Sequence, residues 1–220
     1  HVDFGHPVKL GQAPGPDDQL AISKIAFQVA VEANRITPAT FPAVVSAALL
    51  GAFPRALIER EIANEIKVIT DWAVAGGVKL SPDFNSGFAD DMTGPLGNMI
   101  EEGIITRFEG GPETIYGIGD GQAPIASFYR NTIVHFFLHR AVAELALLAV
   151  SEVGSGEPPL DCFWRVVRDL RDLFKFEFFY PDSQAFEAQI NEELCLEVPD
   201  WQNQLCENAE NSRKILNALA

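Results

Sequence analysis

Phe128-Tyr-Arg-Asn-Thr-Ile-Val-His-Phe-Phe137 opens a long apolar stretch, and its reading decides the fold. Read as a helix from Pro124 to about Val150, it puts Asn131 and His135 one turn apart on one face, which Leu138 and Val142 continue. Thr132 to Val150 has the length of a membrane span. His135, His139, Arg140 and Glu144 lie within it, and charge at mid-bilayer is expensive. Arg140 and Glu144 are spaced to pair one turn apart. A central helix of a bundle is the better reading. Buried amide and imidazole groups need partners, so the polar cluster is either a structural knot or part of a site.

Upstream of that stretch, apolar spacing and breakers outline further helices. Asp17 or Asp18 is placed to cap a helix through about Asn34, with Leu20, Ile25, Ala26, Val29 and Ala30 as its core stripe. Pro42 fits the first turn of a helix ending near Gly51. Pro54 opens another, apolar at Leu57, Ile58, Ile62, Ile66 and Ile69, which stops at Gly76-Gly77. A third covers roughly Gly94 to Glu102 before Gly103. Ile104–Phe108 and Thr114–Ile118 then flank Glu109-Gly-Gly-Pro112, a hairpin signal. Three helices followed by a hairpin is the winged-helix plan, and Phe41 to Ile118 fits it. At the N-terminus, Val2-Asp-Phe4 reads as a short strand and Gly11 to Pro16 as a loop.

Downstream, Gly154 to Pro159 reads as a linker. Phe163, Val166, Val167, Leu170, Leu173 and Phe174 then keep helical spacing, with Arg165, Arg168, Asp169 and Asp172 opposite. Phe176–Tyr180 ends that segment at Pro181, Asp182-Ser183 is placed to cap the next helix, and the stretch from Trp201 reads as helical and acidic. The expected class is mainly α: a winged-helix-like segment plus a helical bundle, preceded by a short strand. The expected divisions are residues 1–16, 17–121 and 122–220, with the linker near 154–159.

The composition narrows the function classes. Sixteen Lys and Arg face 31 Asp and Glu, for a formal charge of −15. Such a surface repels phosphate backbones. The recognition-helix candidate, Asp91 to Glu102, has no Lys or Arg, so DNA reading is set aside. Cys162, Cys195 and Cys206 are too few and too widely spaced for a zinc ribbon or a disulfide framework. His135 and His139 have the spacing of two helical metal ligands but lack a third nearby, so a packed histidine pair is the expectation. The aromatic run Phe174 to Tyr180 reads as core or interdomain surface. No secretory leader is visible, and a chain opening on His1 reads as a processed or truncated product.

Four separated segments together resemble one family, the large bacterial membrane-bound glycerol-3-phosphate acyltransferases in an actinobacterial-style version. They are Val2-Asp-Phe-Gly-His-Pro7, Ala33-Asn-Arg-Ile-Thr-Pro-Ala-Thr40, Phe128-Tyr-Arg-Asn-Thr-Ile-Val-His135 and Leu173-Phe-Lys-Phe-Glu-Phe-Phe179. Ala39 departs from the bulky aliphatic residue expected after that proline.

The resemblance covers only the C-terminal part of the family's longer chain, and implies that the N-terminal strand is the end of an upstream α/β acyltransferase domain. In that family a His-x4-Asp pair supplies the general base that deprotonates the glycerol hydroxyl for attack on an acyl thioester. No histidine here is followed five positions later by aspartate: His1 meets His6, His6 meets Gly11, His135 meets Arg140 and His139 meets Glu144. No catalytic residue is therefore carried over, and Tyr129, Arg130, Asn131 and His135 are expected to form a structural cluster.

The parent enzyme implied by the resemblance acylates glycerol 3-phosphate from acyl-CoA or acyl carrier protein, in phospholipid biosynthesis at the cytoplasmic face of the cell membrane. It needs no cofactor. The rival reading is an independent winged-helix-type interaction or regulatory module whose acidic surface seeks a basic partner.

Overall fold

The computed structural model describes residues 4–9, 20–85, 92–152, 156–180 and 182–219. Val2 and Asp3 of the expected strand, the 11–16 loop, the caps Asp17 and Asp18, Asp91, Gly154, Ser155 and Pro181 lie outside them. The protein is mainly helical, with one small antiparallel sheet among the described residues, and it divides into two compact units, residues 1–136 and 137–220.

In the first unit, α1 (Ala21–Ile36) precedes α2 (Phe41–Ala52). Thr40 caps α2 by accepting the Ala43 amide at 3.4 Å, and Pro42 occupies its first turn, where no amide is needed. Phe41, Ala43, Val44, Val45, Ala48 and Leu49 are all buried, so α2 is apolar around most of its circumference and forms the unit's centre. It packs against α3 (Glu59–Ala75) and α5 (Ala123–Asn131).

The helix expected from Pro54 begins instead at Glu59, and Leu57–Ile58 forms strand β1. The cause is local: the Glu61 carboxylate accepts the Ile58 amide at 3.1 Å and pairs with Arg55 at 2.8 Å, which fixes the helix start. Leu57 and Ile58 are thereby freed to pair with Tyr116 and Ile115.

Helix α4 (Thr93–Glu101) ends at Gly103, whose φ of 72° is the left-handed conformation a helix stop requires. The Ile104 amide returns to the Met99 carbonyl at 2.9 Å and the Gly103 amide to Ile100 at 3.0 Å, a Schellman closure with Ile104 buried beneath it. Strands β2 (Thr106–Phe108) and β3 (Ile115–Gly117) form the expected hairpin, and the sheet order is β1-β3-β2.

Two further expectations fail. The stripe Leu20, Ile25, Ala26, Val29 and Ala30 of α1 is not core: Leu20, Ala26 and Val29 are exposed, and Ile25 and Ala30 only half-buried. The single helix from Pro124 to Val150 is broken. Helix α5 stops at Asn131, Val134–Phe136 is a 3-10 turn, and α6 runs Leu138–Glu152. Thr132-Ile133-Val134 is a run of three β-branched residues, which crowd a helical backbone. The Thr132 hydroxyl and amide both bond the Tyr129 carbonyl, at 2.7 and 3.1 Å, and tighten the chain out of the α-helical pattern.

The second unit packs α6 against α7 (Pro159–Phe174), α8 (Ser183–Glu197) and α10 (Asn211–Leu219), with α9 (Trp201–Glu207) against α7 and α10. Phe163 and Val167 of α7 are buried as their spacing implies, whereas Leu173 is exposed. Asp182 caps α8 through the Ala185 amide at 2.9 Å. Phe163, Trp164 and Trp201 meet edge-on or tilted, with ring centroids 4.8 to 5.8 Å apart. No helix among the described residues is long and apolar enough to cross a membrane.

Candidate functional site

The last turn of α1 gathers three of the four signature segments. Pro38 lacks an amide, so the Asn34 carbonyl four residues earlier has no helical donor. Two groups supply the deficit. The Thr37 amide turns back to it at 3.2 Å, and His135 Nε2 reaches it at 3.0 Å from 101 residues away. A carbonyl only accepts, so Nε2 carries the proton. Burial pushes the His135 pKa below its usual value, against the opposing effect of this hydrogen bond, and favours the neutral ring. The imidazole is a fixed donor here rather than a base.

One turn earlier, Glu32 accepts Arg35 Nη2 at 2.6 Å and Nε at 2.9 Å, a two-pronged pairing, and also accepts the backbone amide of His6. The Arg35 guanidinium first, and then the His6 amide, hold the Glu32 carboxyl well below its ordinary 4.5, at about 2. Gly5 lies so close to Glu32 that an added Cβ would stand 2.7 Å from its carboxylate. The segment around Gly5-His6 is thus laid along α1, and the segment ending at His135 is bonded to the same helix.

A depressed carboxylate stabilises the fold above its unfolded pKa and loses that contribution as the pH falls toward its folded one. The His6 amide is therefore expected to be protected from hydrogen exchange above pH 4.5 and to lose protection as the pH falls toward about 2. Glu32→Gln should lower its protection above that window too. A His6 amide signal that does not move through the window would remove Glu32 as its partner.

The expected cluster is only partly assembled. His135 is fastened to α1. Arg130 donates to the adjacent Asn131 side chain at 2.8 and 3.2 Å, so that pair is self-contained. Asn131 is exposed, and the 3-10 turn removes it from the face of His135. Tyr129 packs edge-on against Phe128 at 5.7 Å. Glu32, outside the quoted segments, was missed by sequence reasoning, although Glu32 and Arg35 at i, i+3 were the available signal. Ala39, the departure from the family pattern, is buried and forms a β-bridge with Leu80.

In the second unit the His139 ring lies 5.0 Å from Phe186, and Tyr180 stands edge-on to that same ring at 4.9 Å. Burial raises the Tyr180 hydroxyl to about 12. Burial lowers the His139 pKa, while Glu193 and Gln189 act to raise it. Arg140 and Glu144 pair at 2.7 Å, as their spacing suggested. Burial pushes the Cys162 thiol up, which disfavours a thiolate nucleophile. Phe174, Phe178 and Tyr180 form a chain of ring contacts at 6.2 Å, while Leu173 and Phe176 face solvent. Among the described residues no group of three or more His, Cys, Asp or Glu side chains is placed to hold a metal ion.

The family model for the glycerol-3-phosphate acyltransferase C-terminal region matches residues 1–218. Curated relatives carrying the description acyltransferase plsB1, from Mycobacterium bovis and Mycobacterium tuberculosis, are 36% identical over 215 residues, covering 89% of this chain. The chain spans only 32% of the length of those relatives. No solved structure matches it.

Proposed function

Because the chain belongs to the family of glycerol-3-phosphate acyltransferase C-terminal regions, we propose that it is the noncatalytic C-terminal portion of a longer enzyme that acylates glycerol 3-phosphate. The family match over residues 1–218 carries this reading. The acyl donor is a thioester, acyl-CoA or acyl carrier protein, and the parent works in phospholipid biosynthesis at the cytoplasmic face of the cell membrane. General-base catalysis needs an imidazole oriented by a carboxylate beside the reacting hydroxyl. His135, the histidine of the signature segment, donates instead to a backbone carbonyl, which supports a structural role for it.

The order α2–β1–α3–α4–β2–β3, with β1 joined to the hairpin's second strand, supports reading residues 41–118 as a winged-helix segment used as scaffold. Helix α4, in the recognition position, carries no basic side chain. The independent regulatory module is the weaker reading, since the family match takes in nearly the whole chain.

The purified 220-residue chain is expected to consume no acyl thioester in the presence of glycerol 3-phosphate, whereas the full-length gene product turns both over. Turnover by the short chain would overturn the noncatalytic assignment. A full-length product that acylates a different acceptor would overturn the substrate.

A further inference from the structure

We infer that helix α1 is an interdomain wedge, covered in the full-length protein by the polypeptide that precedes this region. The inference rests on the proposed function. Two apolar lines run along the helix: Leu20, Phe27 and Val31 on one side, and Ile22 and Val29 on nearly the opposite one. All five are exposed, Ile22 at 74% and Leu20 at 63%. An ordinary surface helix keeps one apolar stripe toward its core, while a helix apolar on two sides needs cover on both. Apolar side chains exposed on both sides of one helix point to a docking role.

The occupant follows from the chain's place in its relatives. This region is their C-terminal part, and about two-thirds of their length lies beyond the 32% it spans. The chain leading in from that direction runs beside α1, because the His6 amide is tied to Glu32. Phe4, just ahead of that tie, is itself exposed. An apolar, two-sided helix therefore sits where the preceding polypeptide arrives.

The test uses the full-length enzyme with a photo-crosslinking phenylalanine analogue at Phe27 or Val29, and at Val68 on α3 as an exposed apolar control in the same unit. Irradiation and peptide mapping should join positions 27 and 29 to peptides upstream of residue 1, with that product lost at position 68. As a measurement free of substitutions, a lysine-reactive crosslinker on the unmodified enzyme should join Lys24 to upstream lysines. Crosslinks from α1 only to a second copy, resolved by mixing isotopically labelled and unlabelled protein, or only to lipid, would overturn the inference and leave the proposed function standing. Absence of any α1 crosslink in both experiments would do the same. A reading frame with no acyltransferase sequence upstream would overturn the proposed function, and the wedge with it.

Discussion

Trp201→Ala is expected to remove about 3–5 kcal/mol from the stability of the second unit, the range for deleting a large buried aromatic. Trp201 is fully buried, with its ring 4.8 Å from Phe163 and 5.8 Å from Trp164. Its indole N–H donates to Asn191 Oδ1 at 3.2 Å, which ties α9 to α8. Truncation opens a cavity between α7 and α9 and removes one donor from Asn191. Gln202 still reaches that oxygen at 2.7 Å, so the polar loss is smaller than the packing loss. Trp201→Phe should therefore recover most of the deficit. Urea denaturation followed by hydrogen exchange at α8 and α9 reads the difference, and exchange at α2 reports the first unit as an internal reference. A change below about 1 kcal/mol would mean that the aromatic cluster is not the unit's packing centre.

Much of this architecture was legible because it depends on local chemistry. Pro42 marks the start of α2, Gly103 the end of α4, and Asp182 the start of α8, each through groups within a few residues. The failures fall where the deciding partner is distant or belongs to another segment. Leu57 and Ile58 keep helical spacing with Ile62 and Ile66, yet they pair with β3 some 58 residues later. Apolar periodicity showed that α1 has faces to bury but not what buries them, and Ile22 and Val29 stay largely exposed. The break at Thr132 was signalled by three consecutive β-branched residues, a local cue outweighed by the surrounding hydrophobicity. In the candidate site, Pro38 announces that Asn34 lacks a helical donor. Nothing in the sequence says that the donor is His135.

The energetic centre of the signature segment is expected to be Ile133 rather than its polar neighbours. Ile133 is fully buried at the break between α5 and the 3-10 turn, while Asn131, two residues before it, is exposed. Ile133→Asp puts a carboxylate into that apolar site, with a cost expected to exceed about 4 kcal/mol, enough to abolish folding of a marginally stable unit. Ile133→Val should cost about 0.5–1.5 kcal/mol, since it deletes one methylene. Asn131→Ala should change stability by no more than about 0.5 kcal/mol, because its partner Arg130 remains solvated. His135→Ala lies between them at about 1–3 kcal/mol, since it strips a donor from the partly buried Asn34 carbonyl. Soluble yield and thermal denaturation of the four variants give the ranking. An Asn131 variant more damaging than the Ile133→Val variant would return the polar pair to the centre of the segment and reopen it as part of a binding site. The expected order assigns the segment to holding α5, the 3-10 turn and the end of α1 in register.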